Sequence, residues 1–460
     1  MLASNSRQGV CLAVGIVALL LMIIHLATSA PPISQWRVSE PIAAMPSGGK
    51  SGASQAEHDD RIPCQRLTGA EDVVVIMRTG ATEIKDKLPI HFRTTFQCYP
   101  DYIIFSDYEE VFEGHQVYDA LASVPTETKK NNDDFAHYLH LQDVGRENLH
   151  QAELHGESYE SGPAGKTENP GWRLDKWKFL PMANETLRLR PDKKWYVFVE
   201  PDSYIVWSNM IQWLRRLDPS KASYFGSEVQ IAADVFAHGG TGFVLSRPAL
   251  ERGVKEYTSH PDKWHEKTAN HWAGDCILGM ALTAAGVGLT WSWPMFQGGN
   301  PSDMTWDETK SANILWCTPA LSYHHFNAHE VEAMWWFEQN RIASSLPQQP
   351  DILHHREVFR SYALPNMTLE RDGWSNKSPE NVTSSETWDM EQCRSACEKN
   401  DKCMQYELTS AGCAWSKNVK MGTLAQGTKS GWMVERVEKW ADSIDKTAKC
   451  QSHWGWTVVS

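Results

Sequence analysis

Unbroken apolar runs, more than strict alternation, dominate the pattern along the chain. Val73-Val74-Val75-Ile76-Met77, Tyr102-Ile103-Ile104-Phe105 and Trp195-Tyr196-Val197-Phe198-Val199 are short, rich in β-branched and aromatic residues, and predict strands covered on both faces. Between the first two, Ile90, Phe92 and Phe96 are set among charged residues over a length that suits a crossover helix. The order strand, helix, strand predicts a right-handed parallel unit, and with it an α/β fold. Glu200-Pro201-Asp202 stops the third run, because proline has no N–H for the next ladder position. Carboxylates therefore stand at the C-terminal edge of a central strand, the edge at which open α/β sheets bind ligands. Farther on, Ser208 is the predicted cap of a helix carrying Ile211, Leu214 and Leu217 on one face, with Asp218-Pro219 as its stop. Gly239-Gly240-Thr241-Gly242 precedes another apolar run, Phe243-Val244-Leu245, after which Ser246 opens a helix to about Tyr257. Asp275 begins a further helix ending near Gly286, and Leu321 to Phe326 predicts a closing strand that bears His324 and His325. Gly145 to Gly171 is polar and glycine-rich, the pattern of a mobile loop.

The ends of the chain differ from this central region. Val10 to Ala27 is apolar apart from Gly15 and His25, near the lower length limit for a membrane-spanning helix. Arg7 precedes it, so residues 1–30 are expected to form a type II signal-anchor with everything beyond on the far side of the membrane. A cleaved leader is the alternative, since Ala27-Thr28-Ser29-Ala30 offers a peptidase site. Residues 31–63 are rich in Pro, Ser, Gly and Ala and read as a stem, residues 64–345 as the α/β domain and 346–380 as a polar linker. Residues 381–437 hold Cys393, Cys397, Cys403 and Cys413 and predict a small disulfide-rich α+β module, followed by a tail of 438–460. Asn184, Asn366 and Asn381 open N-glycosylation sequons, whereas the one at Asn376 is weakened by Pro379.

Composition narrows the function classes. The 460 residues are 41% hydrophobic and 22% charged, as in an ordinary folded protein, and the formal charge of −13 argues against capture of nucleic acid. Of ten cysteines nine follow the apolar run, without paired metal-binding CxxC elements, so disulfides in an oxidising compartment are expected and at least one thiol is left over. A phosphorylated small molecule still suits such a surface when a divalent cation supplies positive charge locally. Asp202 with His324 or His325 offers the carboxylate and imidazole that Mn²⁺ or Mg²⁺ accepts while keeping positions open for phosphate oxygens. Asp275 fits a general base acting on an acceptor hydroxyl. Trp291 and Trp293 alternate as strand neighbours do, with core packing the default and sugar stacking the alternative.

In order, these residues resemble the fringe-like and β1,3-galactosyltransferase-like enzymes of glycosyltransferase family 31, over roughly residues 70–340. Val73 to Thr79 is similar to the family's first nucleotide-contacting strand, His91 to Phe96 to its Arg-x-x-Thr-Trp element, and Tyr102 to Asp107 to its strand ending in Ser/Thr-Asp. Asp175 to Phe179 resembles a lysine-bearing segment, and Val199 to Tyr204 the Asp-Asp-Asp-Thr-Tyr metal motif. Gly239 to Phe243 is similar to the Gly-Gly-Ala-Gly-Tyr turn, Gly274-Asp275-Cys276 to the segment carrying the base, and Ser322-Tyr323-His324 to the Ser-Phe-His metal ligand. The resemblance implies a GT-A nucleotide-sugar domain, a UDP-sugar donor contacted by Thr79, Arg93, Asp107, Lys176, Glu200 and Asp202, and a metal on Asp202 and His324 (or His325). It further implies Asp275 as base, an acceptor surface at Gly239, Gly240, Thr241 and Gly242, and an inverting transfer of a hexose or N-acetylhexosamine to a glycan or glycoprotein hydroxyl in the Golgi membrane. Glu200 and Pro201 depart from the three-aspartate motif, so a catalytically weak glycan- or protein-binding protein is the alternative. The C-terminal cysteines resemble those of an apple or PAN domain, which implies pairing of Cys393 with Cys413 and of Cys397 with Cys403.

Overall fold

The computed structural model describes residues 61–150, 153, 170–310, 313–345, 350–382, 388–448, 450 and 455–458. The expected anchor of 1–30, nearly all of the stem, most of the 145–171 loop and Thr383 of the third sequon lie outside the described residues. Among the described residues no helix is long and apolar enough to cross a membrane.

The apolar runs become the centre of a mixed sheet. Its strands are β1 (Val73–Arg78), β2 (Tyr102–Ser106), β3 (Glu110–Phe112), β4 (His115–Asp119), β5 (Trp195–Val199), β6 (Tyr224–Gly226), β7 (Phe243–Ser246) and β8 (Leu289–Trp291). They lie in the order β8-β6-β7-β5-β1-β2-β4-β3. β5, β1, β2 and β4 run parallel, whereas β7 is antiparallel to both β5 and β6. All six residues of β1 and all five of β5 are buried, which is why neither alternates. Tyr224 to Gly226, with its aromatic pair, is a strand that the sequence reading passed over.

Helices cover the sheet: α1 (Pro170–Leu189), α2 (Trp207–Leu214), α3 (Arg247–Ser259), α4 (Gly274–Ala284) and, after the closing segment, α5 (Ala328–Ser344). Ile76, Phe105, Phe198 and Leu245 of the sheet pack with Leu180 of α1, Leu250 of α3, and Ile277 and Leu278 of α4 in one apolar core. At roughly 25 cal/mol per Å² of apolar surface, such burial is what fixes the strand edges against one another. Ser246 caps α3, as expected, its side chain accepting from the Ala249 amide. Val206, not Ser208, precedes α2, because the hydroxyl and amide of Ser208 are both committed to the buried Glu338 carboxylate at 2.7 Å. The mixed sheet and its helices fit a GT-A-like domain.

The C-terminal part begins earlier than its cysteines suggest. A five-stranded antiparallel sheet is built from β9 (Arg371–Ser375), β10 (Glu380–Asn381), β11 (Gln405–Thr409), β12 (Gly412–Ser416) and β13 (Thr423–Trp432), in the order β9-β13-β11-β12-β10. β9 falls in the stretch expected to be linker; its Trp374 is fully buried, donating from Nε1 to the Met421 carbonyl at 2.7 Å. Helix α6 (Met390–Glu398) packs on this sheet and α7 (Val434–Ala448) follows it. Two disulfides, Cys393–Cys413 and Cys397–Cys403, lie in its core, while Cys64–Cys98 and Cys317–Cys450 staple the larger domain. Cys450 therefore ties the expected tail back across a 133-residue separation, and Cys276 is left as a buried free thiol.

The sequons separate on burial. Asn184 is half-buried on α1 and Asn381 is exposed on β10. Asn366 is buried, with its amide nitrogen donating to the Tyr362 carbonyl at 2.9 Å.

Candidate active site

The C-terminal ends of β1, β2 and β5 bring charged side chains together beneath α1 and α4. Arg78, the last residue of β1, is buried and clamped between Asp175 of α1 and Glu200, with Phe179 against its face at 4.3 Å. Lys178, also buried, donates to the Thr79 carbonyl at 2.8 Å and lies 3.2 Å from Asp175 and 3.6 Å from Asp107. Asp107 meanwhile accepts from the Ala81 amide at 2.6 Å. Alternating charges thus run Asp107, Lys178, Asp175, Arg78, Glu200 across three strand ends. Paired in this way, buried charges avoid the several kcal/mol that each would cost alone.

Asp202 sits beside that chain on the turn after β5. Its carboxylate lies 3.3 Å from Nε2 of His324 and 3.3 Å from Nζ of Lys87, which is itself 2.9 Å from Glu83. Burial works to raise the Asp202 pKa, but the His324 imidazole and the Lys87 ammonium hold it well below the usual carboxylate range. Glu200 is pushed the other way: burial and the Asp202 charge raise it, against the pull of Arg78. For His324, burial opposes the charge while Asp202 and Glu200 favour it, and the net direction is up. Burial and the neighbouring His324 take His325 down to about 4. Metal-ligand atoms of Asp202, His324 and His325 all lie within 4.8 Å of one another.

The turn between β5 and the short Tyr204–Ile205 strand is pinned from below. His91 has one ring nitrogen 2.7 Å from the Pro201 carbonyl and the other 2.8 Å from the Thr95 hydroxyl. Because the carbonyl only accepts, Nε2 carries the proton and Nδ1 accepts from Thr95. Burial takes His91 down to about 4. His355 is built alike, between the Tyr323 hydroxyl at 2.8 Å and the Pro294 carbonyl at 2.9 Å, and burial takes it down to about 3. Unfolded histidine titrates near 6.5, so between there and about 4 the unfolded chain binds the extra protons and the folded one does not. Stability is therefore full above pH 6.5 and is expected to fall on acidification by about 1.4 kcal/mol per pH unit for each histidine. Urea unfolding at pH 6.5 and pH 5 checks this: a double His91→Gln, His355→Gln variant should show a flatter slope than the natural chain, and equal slopes would refute it.

The glycine turn touches both halves of the site. Gly239 donates its amide to Oδ2 of Asp275 at 2.9 Å, and a Cβ at Gly239 would come within 3.3 Å of Glu200 and 3.4 Å of Asp275. A Cβ at Gly240 would meet the His324 ring at 2.2 Å. Gly242 has a φ of +76°, suited to glycine. Oδ1 of Asp275 accepts from the Cys276 amide at 2.9 Å, so the carboxylate rests on the first turn of α4, where the helix dipole favours it. The Ser203 hydroxyl donates to the Gly240 carbonyl and the Ser322 hydroxyl to the Thr241 carbonyl, both at 2.6 Å. Trp293 is buried, in keeping with core packing, but Trp291 is 60% exposed.

Thr79, Asp107, Glu200, Asp202, Gly239, Gly240, Asp275 and His324 therefore converge, and Arg93 and Lys176 do not. Arg93 is exposed, with its nearest carboxylate, Glu332, 4.0 Å away. Lys176 pairs with Asp134 at 2.8 Å. The same geometry accounts for both: two positions along a helix is about 200° of rotation, so His91 and Lys178 point inward where Arg93 and Lys176 point away. The sequence reading also missed Arg78 and Lys87. A cation at the end of a fully buried strand was the available signal for Arg78; Lys87 had none.

The donor set fits a divalent cation. Oδ1 of Asp202 and Nδ1 of His324 are buried without hydrogen-bond partners, although Oδ1 lies within ion-pair range of Nε2. Buried polar atoms left in this way in a carboxylate and imidazole cluster are the kind that a metal satisfies. Over residues 180–338, which run from α1 through Asp202, the glycine turn, Asp275 and His324 into α5, the chain matches the protein-family model described as Fringe-like, and this match supports a fringe-like glycosyltransferase.

Proposed function

We propose that the chain is an inverting, metal-dependent glycosyltransferase that moves a hexose or N-acetylhexosamine from a UDP-sugar to a hydroxyl of a glycan or glycoprotein, forming a β1,3-type linkage. The observation that carries this reading is the approach of Asp202 and Asp275 to adjacent glycines of one turn, through His324 against Gly240 and through the Gly239 amide. Asp202 and His324, with His325 beside them, would hold the cation, and when bound it supplies positive charge to the diphosphate of the leaving group. Lys87, beside Asp202, is the protein cation at hand for the same phosphate oxygens, and Glu200, locked by Arg78, would take the ribose. Asp275 takes the proton of the acceptor hydroxyl as that oxygen forms a bond to the anomeric carbon; the bond from that carbon to the phosphate oxygen breaks, and its electron pair leaves with UDP. Direct displacement of this kind inverts the anomeric centre.

Two further assignments belong to the same proposal. The leader of residues 1–30 supports placement as a type II protein of the Golgi membrane, or secretion if it is cleaved. The two short-range disulfides and the helix on an antiparallel sheet support an apple- or PAN-like reading of the C-terminal module.

Screening UDP-sugars with the purified lumenal chain and an acceptor panel, read as released UDP, tests the assignment. At least one donor should give Mn²⁺-stimulated release that a chelator abolishes and manganese restores. A folded chain that binds UDP but releases none from any donor would instead favour a binding protein built on the same scaffold.

A further inference from the structure

We propose that the C-terminal module braces the histidine segment of the site, making Asp303, Lys377 and Lys420 positioning residues for the cation. The inference rests on the metal reading above. His325 has a φ of +63°, a conformation that a residue with a side chain keeps only when its surroundings hold it. What holds it is the loop of residues 297–304. Asn300, buried in that loop, donates its amide to the His325 carbonyl at 3.1 Å, and the Gly299 carbonyl accepts from the His324 amide at 3.3 Å.

That loop is in turn fastened by the module. Asp303 forms ion pairs with Lys377 at 2.8 Å and with Lys420, one carboxylate oxygen to each. Beside them the Gly422 amide donates to the Ser302 carbonyl at 2.7 Å, while the Ser302 amide donates to Asn300 at 2.8 Å. Gly422 is fixed in this pose, since its φ is +81° and a Cβ there would meet the Ser375 carbonyl oxygen at 2.0 Å. Lys377 is fixed as well, its amide donating to the Ser375 hydroxyl at 3.1 Å. An unbroken set of bonds thus runs from module to loop to both histidines. Each of the three charged side chains is about one-third exposed or less, so their weight lies in holding a geometry more than in bulk stability.

Because coupling is reciprocal, two measurements on the intact protein read it from opposite ends. A double Lys377→Met, Lys420→Met variant should bind Mn²⁺ roughly 3- to 30-fold more weakly, by electron paramagnetic resonance of the free ion. Asp303→Asn should weaken binding likewise and Asp303→Glu should retain most of it. In the natural chain, adding Mn²⁺ should slow hydrogen exchange at the Gly422 amide, a readout that needs no variant to fold. Natural affinity in the variants together with exchange at Gly422 indifferent to bound Mn²⁺ would overturn the brace. Absence of Mn²⁺ binding by the natural chain would overturn the metal reading first.

Discussion

Asp202→Asn is expected to cut transfer by roughly a thousandfold, about 4 kcal/mol of transition-state stabilisation, and to remove the dependence on Mn²⁺. The size follows from what the carboxylate balances. Lys87 and His324 both face it at 3.3 Å; of the other acids in reach, Glu83 lies 2.9 Å from Lys87, and Glu200, 4.0 Å from His324, is committed to Arg78. A neutral amide removes the carboxylate that Lys87 and His324 share and deprives the cation of its only carboxylate among the three clustered donors. Removing one partner of a buried ion pair costs roughly 3–5 kcal/mol; here Lys87 keeps Glu83 and some solvent exposure, so the metal-free variant should be destabilised by less than that range. Initial rates with and without chelator, alongside urea unfolding, check both parts. Chelator-sensitive transfer within tenfold of the natural enzyme would remove Asp202 from the cation site.

Much of this geometry can be read from the chain because the signal is local. Val73 to Met77 and Trp195 to Val199 are so uniformly apolar that only a doubly covered strand accommodates them, and Pro201 marks where the second must end. The carboxylate of Asp202 follows from that ending, as does Asp275 from the start of a helix. Counter-charges are a different matter. Arg78 and Lys178 matter because β1 and α1 meet in space, and nothing in their immediate sequence distinguishes Lys178 from Lys176, two positions away on the helix. The family pattern pointed to Arg93 and Lys176 by order along the chain, while the rotation of each helix put their neighbours inside. The closing segment was read as a strand over residues 321–326, but only Ser322–Tyr323 is one, because the positive φ at His325 turns the chain out of the ladder. The module boundary was obscured for a related reason. Trp374 and Asn376 look like linker residues until β13, about fifty residues later, supplies the sheet and hydrogen bonds that bury them.

Asp275→Asn tests the Gly239 side of the glycine turn and separates chemistry from binding. The side chain accepts from two amides, those of Gly239 and Cys276. Asparagine keeps one of these bonds and turns an N–H toward the other amide, so the volume is preserved while the proton acceptor is lost. General-base catalysis contributes typically 10²- to 10⁴-fold, and the expected result is a fall of that order in kcat with donor KM and Mn²⁺ affinity within about twofold. Steady-state kinetics with varied donor and a titration of Mn²⁺ into the variant give both numbers. A loss confined to donor KM would mean that Asp275 acts by holding the Gly239 amide and the turn, and the base would have to be sought elsewhere. A fall in kcat alone places the carboxylate at the acceptor hydroxyl, because the donor site, the cation and the turn are then demonstrably intact while the Asp275 carboxylate has gone.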